Sequence, residues 1–123
     1  MSTYKVLIAE DNLLFANTIS KILSDLNIEN TIAADGKEAL SAYHQDYFDL
    51  ILLDILMPEM NGFETSKEIR KTNKTTPIIA LTSLPYTEIK QDLEEGGIND
   101  YLSKPSDLKH LKYLLYNYFN VAA

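Results

Sequence analysis

Leu50-Ile51-Leu52-Leu53-Asp54 is the stretch that decides the fold. Four consecutive apolar residues do not alternate between a wet and a dry face, so a strand made of them is covered on both sides. That is the condition of a strand inside a parallel sheet with helices packed above and below. Outward from it, Val6-Leu7-Ile8-Ala9 and Ile78-Ile79-Ala80-Leu81 have the same character. Thr31-Ile32-Ala33-Ala34 is a weaker strand, and Tyr101-Leu102 is a short fifth.

Helical patterns fill the gaps. Phe15, Ile19, Ile22, Leu23 and Leu26 share one face of the first helix. Asp35-Gly36-Lys37-Glu38 reads as a capping box, with Asp35 as N-cap and Glu38 reaching back, and opens a helix to about Tyr43. Asn61-Gly62-Phe63-Glu64 is a second such box, opening a helix to about Lys71. A fourth helix starts at about Pro85 or Tyr86 and stops at Gly96-Gly97, a C-cap signal. Ser106 or Asp107 caps a last helix with Leu108, Leu111, Leu115 and Phe119 on one face. Five strands alternate strictly with five helices, which predicts an α/β fold in a single domain over 1–123, with no linker or repeat.

Composition narrows the function. The chain has 123 residues, 46% hydrophobic and 24% charged, which fits one ordinary domain. It has no cysteine, so thiol catalysis, thiolate metal sites and disulfides are excluded. His44 and His110 share no metal-ligand spacing. Eleven Lys and Arg against 18 Asp and Glu give a formal charge of −7. Such an acidic balance disfavours direct nucleic-acid binding and anionic membranes. No apolar run approaches the roughly 18 residues of a membrane span and no signal-peptide pattern opens the chain, so a cytoplasmic protein is expected.

Ligands of open parallel sheets bind beyond the carboxyl ends of the strands, near the point where strand order reverses. The residues that follow the strands are therefore the ones to weigh. Glu10-Asp11 follows the first strand, Asp54 ends the third, Thr82-Ser83 follows the fourth, and Ser103-Lys104-Pro105 follows the fifth. Clustered carboxylates repel unless a cation joins them, and hard oxygen donors suit Mg²⁺. A carboxylate can also be a nucleophile in aspartyl-phosphate chemistry. A phosphoryl group arriving there needs positive charge and a donor, which Lys104 and Thr82 supply. Taken alone, Glu10-Asp11 reads as acids near a helix N-terminus and Lys104 as a solvated lysine. The set together is chemically sufficient to move a phosphoryl group onto an aspartate.

The sequence Ile8-Ala9-Glu10-Asp11-Asn12, with Asp54-Ile55-Leu56-Met57-Pro58-Glu59-Met60-Asn61-Gly62, Leu81-Thr82-Ser83 and Asp100-Tyr101-Leu102-Ser103-Lys104-Pro105, resembles the CheY-like receiver domains of bacterial two-component response regulators. The resemblance runs from Lys5 to about Phe119. It implies a flavodoxin-like sheet of order 2-1-3-4-5 flanked by five helices. It implies Asp54 as phosphoacceptor, Glu10, Asp11, Asp54 and the backbone carbonyl of Leu56 around Mg²⁺, and Lys104 against the phosphoryl group. It further implies Thr82 and Tyr101 as switch residues and a cis bond between Lys104 and Pro105. The donor it implies is a phosphohistidine on a histidine kinase or histidine phosphotransfer protein, and the chain would catalyse its own transfer without being a turnover enzyme.

Departures from the family pattern are modest. Glu-Asp replaces the commoner Asp-Asp pair, Asn61 stands where Asp is frequent, and Ser83 where Ala or Gly is usual. The two positions that set phosphate lifetime are apolar here, Leu56 and Leu84, which predicts slow self-dephosphorylation. Tyr113 and Tyr116 fall off the apolar face of the last helix. With Tyr86 and Tyr101 they suggest a face for a homodimer or effector formed by the fourth helix, fifth strand and fifth helix. Three other classes compete. A phosphatase of the aspartyl-phosphate type wants a second Asp where Leu56 stands. A flavin carrier wants hydroxyls where Glu10 and Asp11 stand. A docking module independent of phosphorylation would have lost Asp11, Asp54 or Lys104.

Overall fold

The computed structural model describes residues 3–104 and 108–119. Strand and helix alternate as β1 (Lys5–Ala9), α1 (Leu13–Asp25), β2 (Glu29–Ala33), α2 (Gly36–Gln45), β3 (Leu50–Asp54), α3 (Gly62–Arg70), β4 (Ile78–Thr82), α4 (Tyr86–Glu95), β5 (Asp100–Ser103) and α5 (Leu108–Phe119). All strand pairs are parallel, in the order β2-β1-β3-β4-β5. This is the order that the resemblance implied.

The apolar runs do what their composition dictates. Every residue of β3 and β4 is buried. Val6, Ile8, Leu50, Leu52, Ile79 and Leu81 point to one face, where Ile19 and Leu23 of α1 and Leu111 and Leu115 of α5 cover them. Leu7, Ala9, Ile51, Leu53 and Ile78 point to the other, against Ala39 of α2 and Ile69 of α3. Ala80 and Ile55 pack with Ile89 and Leu93 of α4. The strand β2 differs: exposed and covered residues alternate from Glu29 to Ala33, as befits an edge. Its polar start is why it begins two residues before the apolar run that marked it.

Local caps fix where the helices begin and end. Asn12 Oδ1 accepts the Phe15 N–H at 3.0 Å and starts α1. At Asn61 the reciprocal box closes, with Glu64 N–H to Asn61 at 2.9 Å and Asn61 N–H to Glu64 at 3.0 Å. At Asp35 only half of the expected box forms. Glu38 N–H reaches Asp35 at 2.8 Å, but the Glu38 carboxylate takes the Ala34 N–H at 3.3 Å instead of Asp35's own. Asp35 has φ −157° where Asn61 has −75°, and that rotation turns the Asp35 N–H away. The helix α4 ends at the paired glycines as expected. Gly97 is left-handed (φ 70°), and Ile98 N–H returns to Leu93 at 2.9 Å. Asn27 (φ 61°) ends α1 in the same way, with Ile28 N–H to Leu23 at 2.9 Å. The expected caps Ser106 and Asp107 and the Lys104–Pro105 bond lie outside the described residues.

One backbone position runs against its residue type. Glu59, in the loop between β3 and α3, has φ 67°. A left-handed conformation costs an L-residue about 1–2 kcal/mol, and glycine gives back roughly 0.5–1 kcal/mol of that as chain entropy. Its exposed pair with Lys37, at 3.5 Å, adds little. Glu59→Gly is therefore expected to raise stability by about 0.5–1 kcal/mol. Urea unfolding checks this, and a lowered midpoint would show that the Glu59 side chain holds the loop.

Candidate functional site

The carboxyl ends of β1, β3, β4 and β5 lie along one edge of the sheet. Register pairs Ala9 with Leu53, Asp54 with Leu81 and Thr82 with Ser103, so the residues that follow arrive side by side. Glu10 and Asp54 are buried to within 2% of full coverage, while Asp11 is exposed. One carboxylate oxygen from each of the three lies within 4.8 Å of the others. The Lys104 ammonium sits against them, 2.7 Å from Glu10 Oε1 and 3.4 Å from Asp54 Oδ2. The closer contact is an ion pair without hydrogen-bond alignment, and among the described residues Glu10 Oε1 is a buried oxygen with no hydrogen-bond donor.

Backbone groups aim these side chains. Asp54 Oδ1 accepts the Leu56 N–H at 3.1 Å, and Glu10 Oε2 accepts the Asn12 N–H at 3.0 Å. Lys104 N–H donates to the Thr82 carbonyl at 2.9 Å. Gly62 carries α3 hard against the end of β3. A Cβ there would overlap the Asp54 carbonyl and come within 2.8 Å of Ile55 Cα. The capping reading of Asn61-Gly62 was correct but missed this second role, which only the three-dimensional approach reveals.

Electrostatics at the edge are unbalanced. Burial, and then the carboxylates of Glu10 and Asp11, push Asp54 up to about 8, with Lys104 opposing. Burial pulls the Lys104 ammonium down, but Glu10 and Asp54 outweigh it and leave it above its ordinary value. A hard cation would relieve this crowding. The donor set is all oxygen, and the exposed Asp11 leaves the cluster open on its solvent side. The residues therefore fit Mg²⁺.

Thr82 is buried, and its Oγ1 accepts the Leu84 N–H at 3.1 Å. The half-buried Tyr101 donates its hydroxyl to the Leu84 carbonyl at 3.0 Å. Both switch candidates thus bond the backbone of one residue, Leu84, on its two sides, which the sequence did not disclose. The Leu56 side chain is 57% exposed beside Asp54, and Leu84 is half-buried. The tyrosines divide into two groups. Tyr86 packs its ring 5.7 Å from Tyr101 in a groove between α4 and β5. Tyr113 and Tyr116 lie with Lys109 and Lys112 in a separate groove on α5. Tyr118, unremarked in the sequence, donates to Asp100 at 2.6 Å; burial and then Asp100 push its hydroxyl up to about 12.

A sheet of this order, with carboxylates at its switch point and a lysine opposed to them, defines a doubly wound α/β domain whose working edge could hold a cation. The family model of the response regulator receiver domain matches residues 6–116, and the chain belongs to that family. It is 40% identical over 119 residues to hybrid signal transduction histidine kinase G of Dictyostelium discoideum, covering 93% of this chain and 4% of that protein. It superposes on the chemotaxis protein CheY4 of Vibrio cholerae with TM-score 0.90 and 35% identity, covering 96% of this chain and 100% of that one. The receiver domain of sensor histidine kinase PA1611 from Pseudomonas aeruginosa, with a magnesium ion in its active site cleft, matches with TM-score 0.86 and 30% identity over 97% of this chain and 99% of that one. The receiver domain of Ssk1 from Saccharomyces cerevisiae, solved with the histidine phosphotransfer protein Ypd1, matches with TM-score 0.87 and 28% identity over 94% and 88% of the two chains. The chain is a receiver domain of the kind found in response regulators and hybrid histidine kinases.

The raised Asp54 sets a stability test. In metal-free protein the group takes up a proton on folding once the unfolded chain has lost it, so its cost is absent below the ordinary 3.8 and grows as pH rises toward about 8. Stability should fall across that window through this group. Asp54→Asn should remove that fall and melt higher than the natural chain near pH 8, and Mg²⁺ should narrow the difference by stabilising only the carboxylate form. Parallel thermal melts from pH 4 to 8 measure this. Equal slopes in the two proteins would contradict it.

Proposed function

We propose that the chain accepts a phosphoryl group from a phosphohistidine onto Asp54 and relays its arrival to the α4-β5-α5 face. The observation that supports this most is the placement of Asp54, buried at the end of β3 with Glu10 and Asp11 beside it and Lys104 at 3.4 Å. The donor is a histidine kinase or a histidine phosphotransfer protein, in keeping with the Ssk1 complex. Glu10, Asp11, Asp54 and the Leu56 carbonyl would hold Mg²⁺. The ion, when bound, neutralises charge on the phosphoryl oxygens and favours the ionised form of Asp54.

The chain's own groups perform the rest. An Asp54 carboxylate oxygen attacks phosphorus and a P–O bond forms. The P–N bond breaks, and the leaving imidazole keeps its electron pair. Lys104 is already placed to meet the new negative charge. Thr82 Oγ1, with its acceptor side used by Leu84, turns its O–H toward the phosphoryl oxygen. That movement loosens the backbone at Leu84, and the Tyr101 hydroxyl loses its carbonyl partner on that residue. The Tyr86–Tyr101 contact and the α4-β5 groove are then free to repack. The α5 groove of Tyr113 and Tyr116 extends this surface for a second copy or an effector.

Intact mass after incubation with acetyl phosphate and Mg²⁺ tests the reading. One phosphoryl group should be added, and chelator or Asp54→Asn should abolish it. An adduct that persists in Asp54→Asn would refute the assignment. Sedimentation of the same phosphorylated sample should shift if the tyrosine face pairs two copies, and an unchanged monomer would remove that part.

Leu56 and Leu84 offer no hydrogen bond to an attacking water, so the phosphoryl group should be long-lived. Leu56→Asn and Leu84→Glu are expected to speed its loss about tenfold or more, within the range of general-base and positioning effects. Decay followed by mass after removing the donor checks this. Unchanged rates in both variants would mean that water is not positioned from these sites.

A further inference from the structure

Phe15 takes no part in the chemistry above, yet its ring lies against the Lys104 ammonium, with Nζ 5.2 Å from the ring centroid. The Lys104 side chain is only 20% exposed, so cation and ring meet largely out of water, where such contacts strengthen. The backbone that carries the ring is anchored by the same atoms that build the site. Glu10 Oε2 accepts the Asn12 N–H, and Asn12 Oδ1 in turn accepts the Phe15 N–H, each at 3.0 Å. The other oxygen of Glu10 lies 2.7 Å from Lys104. One carboxylate therefore holds the ammonium and, through Asn12, the backbone that carries the facing ring.

The ring and the Lys104 side chain also line one small pocket, together with Ile19, Leu81, Leu102 and Leu111. Its free volume of about 10 Å³ is at the lower limit for one water, so there is little room for solvent between them. A leucine would fill much of the same space but would lack the negative ring face.

We propose that Phe15 is a positioning residue for phosphoryl transfer, holding the Lys104 ammonium against Glu10 and Asp54 and away from solvent. The inference rests on Lys104 meeting the phosphoryl group. No bond to Phe15 forms or breaks. The effect is to keep the positive charge in place before the phosphoryl group arrives, so that it is not reordered during transfer.

The test compares Phe15→Leu with Phe15→Tyr and Phe15→Trp, each checked for an unchanged melting temperature. The first readout needs neither metal nor donor: the NMR shift of the Lys104 ε-methylene protons, which an aromatic face moves by its ring current. The second is the rate of phosphorylation by acetyl phosphate at saturating Mg²⁺. The aromatic variants should keep the ring-current shift and react within about twofold of the natural chain. Phe15→Leu should lose the shift and react about threefold to tenfold more slowly. In a Lys104→Gln background, Phe15→Leu should cause no further slowing.

A Phe15→Leu rate equal to the natural one, or equal slowing in the Lys104→Gln background, would overturn the inference while leaving Asp54 as the acceptor. A natural chain that takes no phosphoryl group would overturn the functional reading first. The ring-current shift would still report on the contact itself, and its absence would overturn the geometry on which the inference stands.

Discussion

Everything at the working edge of this molecule answers to one constraint: carboxylates held together where water is scarce. Glu10 and Asp54 are buried, Asp11 stands at their open side, and a single lysine meets two of the three. Separated, such groups would ionise without cost. Brought within 4.8 Å, they leave Asp54 reluctant to carry charge until more positive charge arrives. The apolar sheet enforces the proximity, because β1 and β3 are locked on both faces and their ends have no freedom to diverge. The rigidity of the core and the reactivity of the edge are the same property seen at two places.

The edge is also where chemistry connects to motion. Thr82 and Tyr101 both hold the backbone of Leu84, one accepting from its N–H and the other donating to its carbonyl. In the proposed switch, a hydroxyl drawn toward Asp54 and a ring at the α4-β5 groove would be two ends of one short linkage. The contact crosses a loop and not the core, so it can change without disturbing β4 or β5. Arg70 and Ser66 tie the C-terminal end of α4 to α3 through the carbonyls of Gly97 and Gly96.

Much of this was legible in the residues. Leu50 to Leu53 read as a strand covered twice, and the polar residues that follow the apolar runs are ones the fold brings to one edge. Boundaries slipped where polarity and hydrogen bonding part company. Glu29 and Asn30 belong to β2 because an edge strand tolerates polar side chains, and α2 continues past Tyr43 to Gln45. The Asp35 box failed in half because φ at a single residue decides where an N–H points, and composition does not encode φ. Phe15 looked like one more core residue on a helical stripe; its contact with Lys104 depends on two elements far apart in sequence. Gly62 and Glu59 show the complementary limit. A close approach to the Asp54 carbonyl and a left-handed glutamate are properties of the folded loop alone.

The central claim is that the Asp54 carboxylate, and no other group, receives the phosphoryl group. Borohydride reduction of the phosphorylated chain tests it most directly, because an acyl phosphate is reduced to the alcohol while phosphate esters are not. Peptide mapping should then find homoserine at position 54 alone, only in samples treated with both donor and Mg²⁺. Homoserine at another aspartate, or a retained phosphoryl group that resists reduction, would contradict the account.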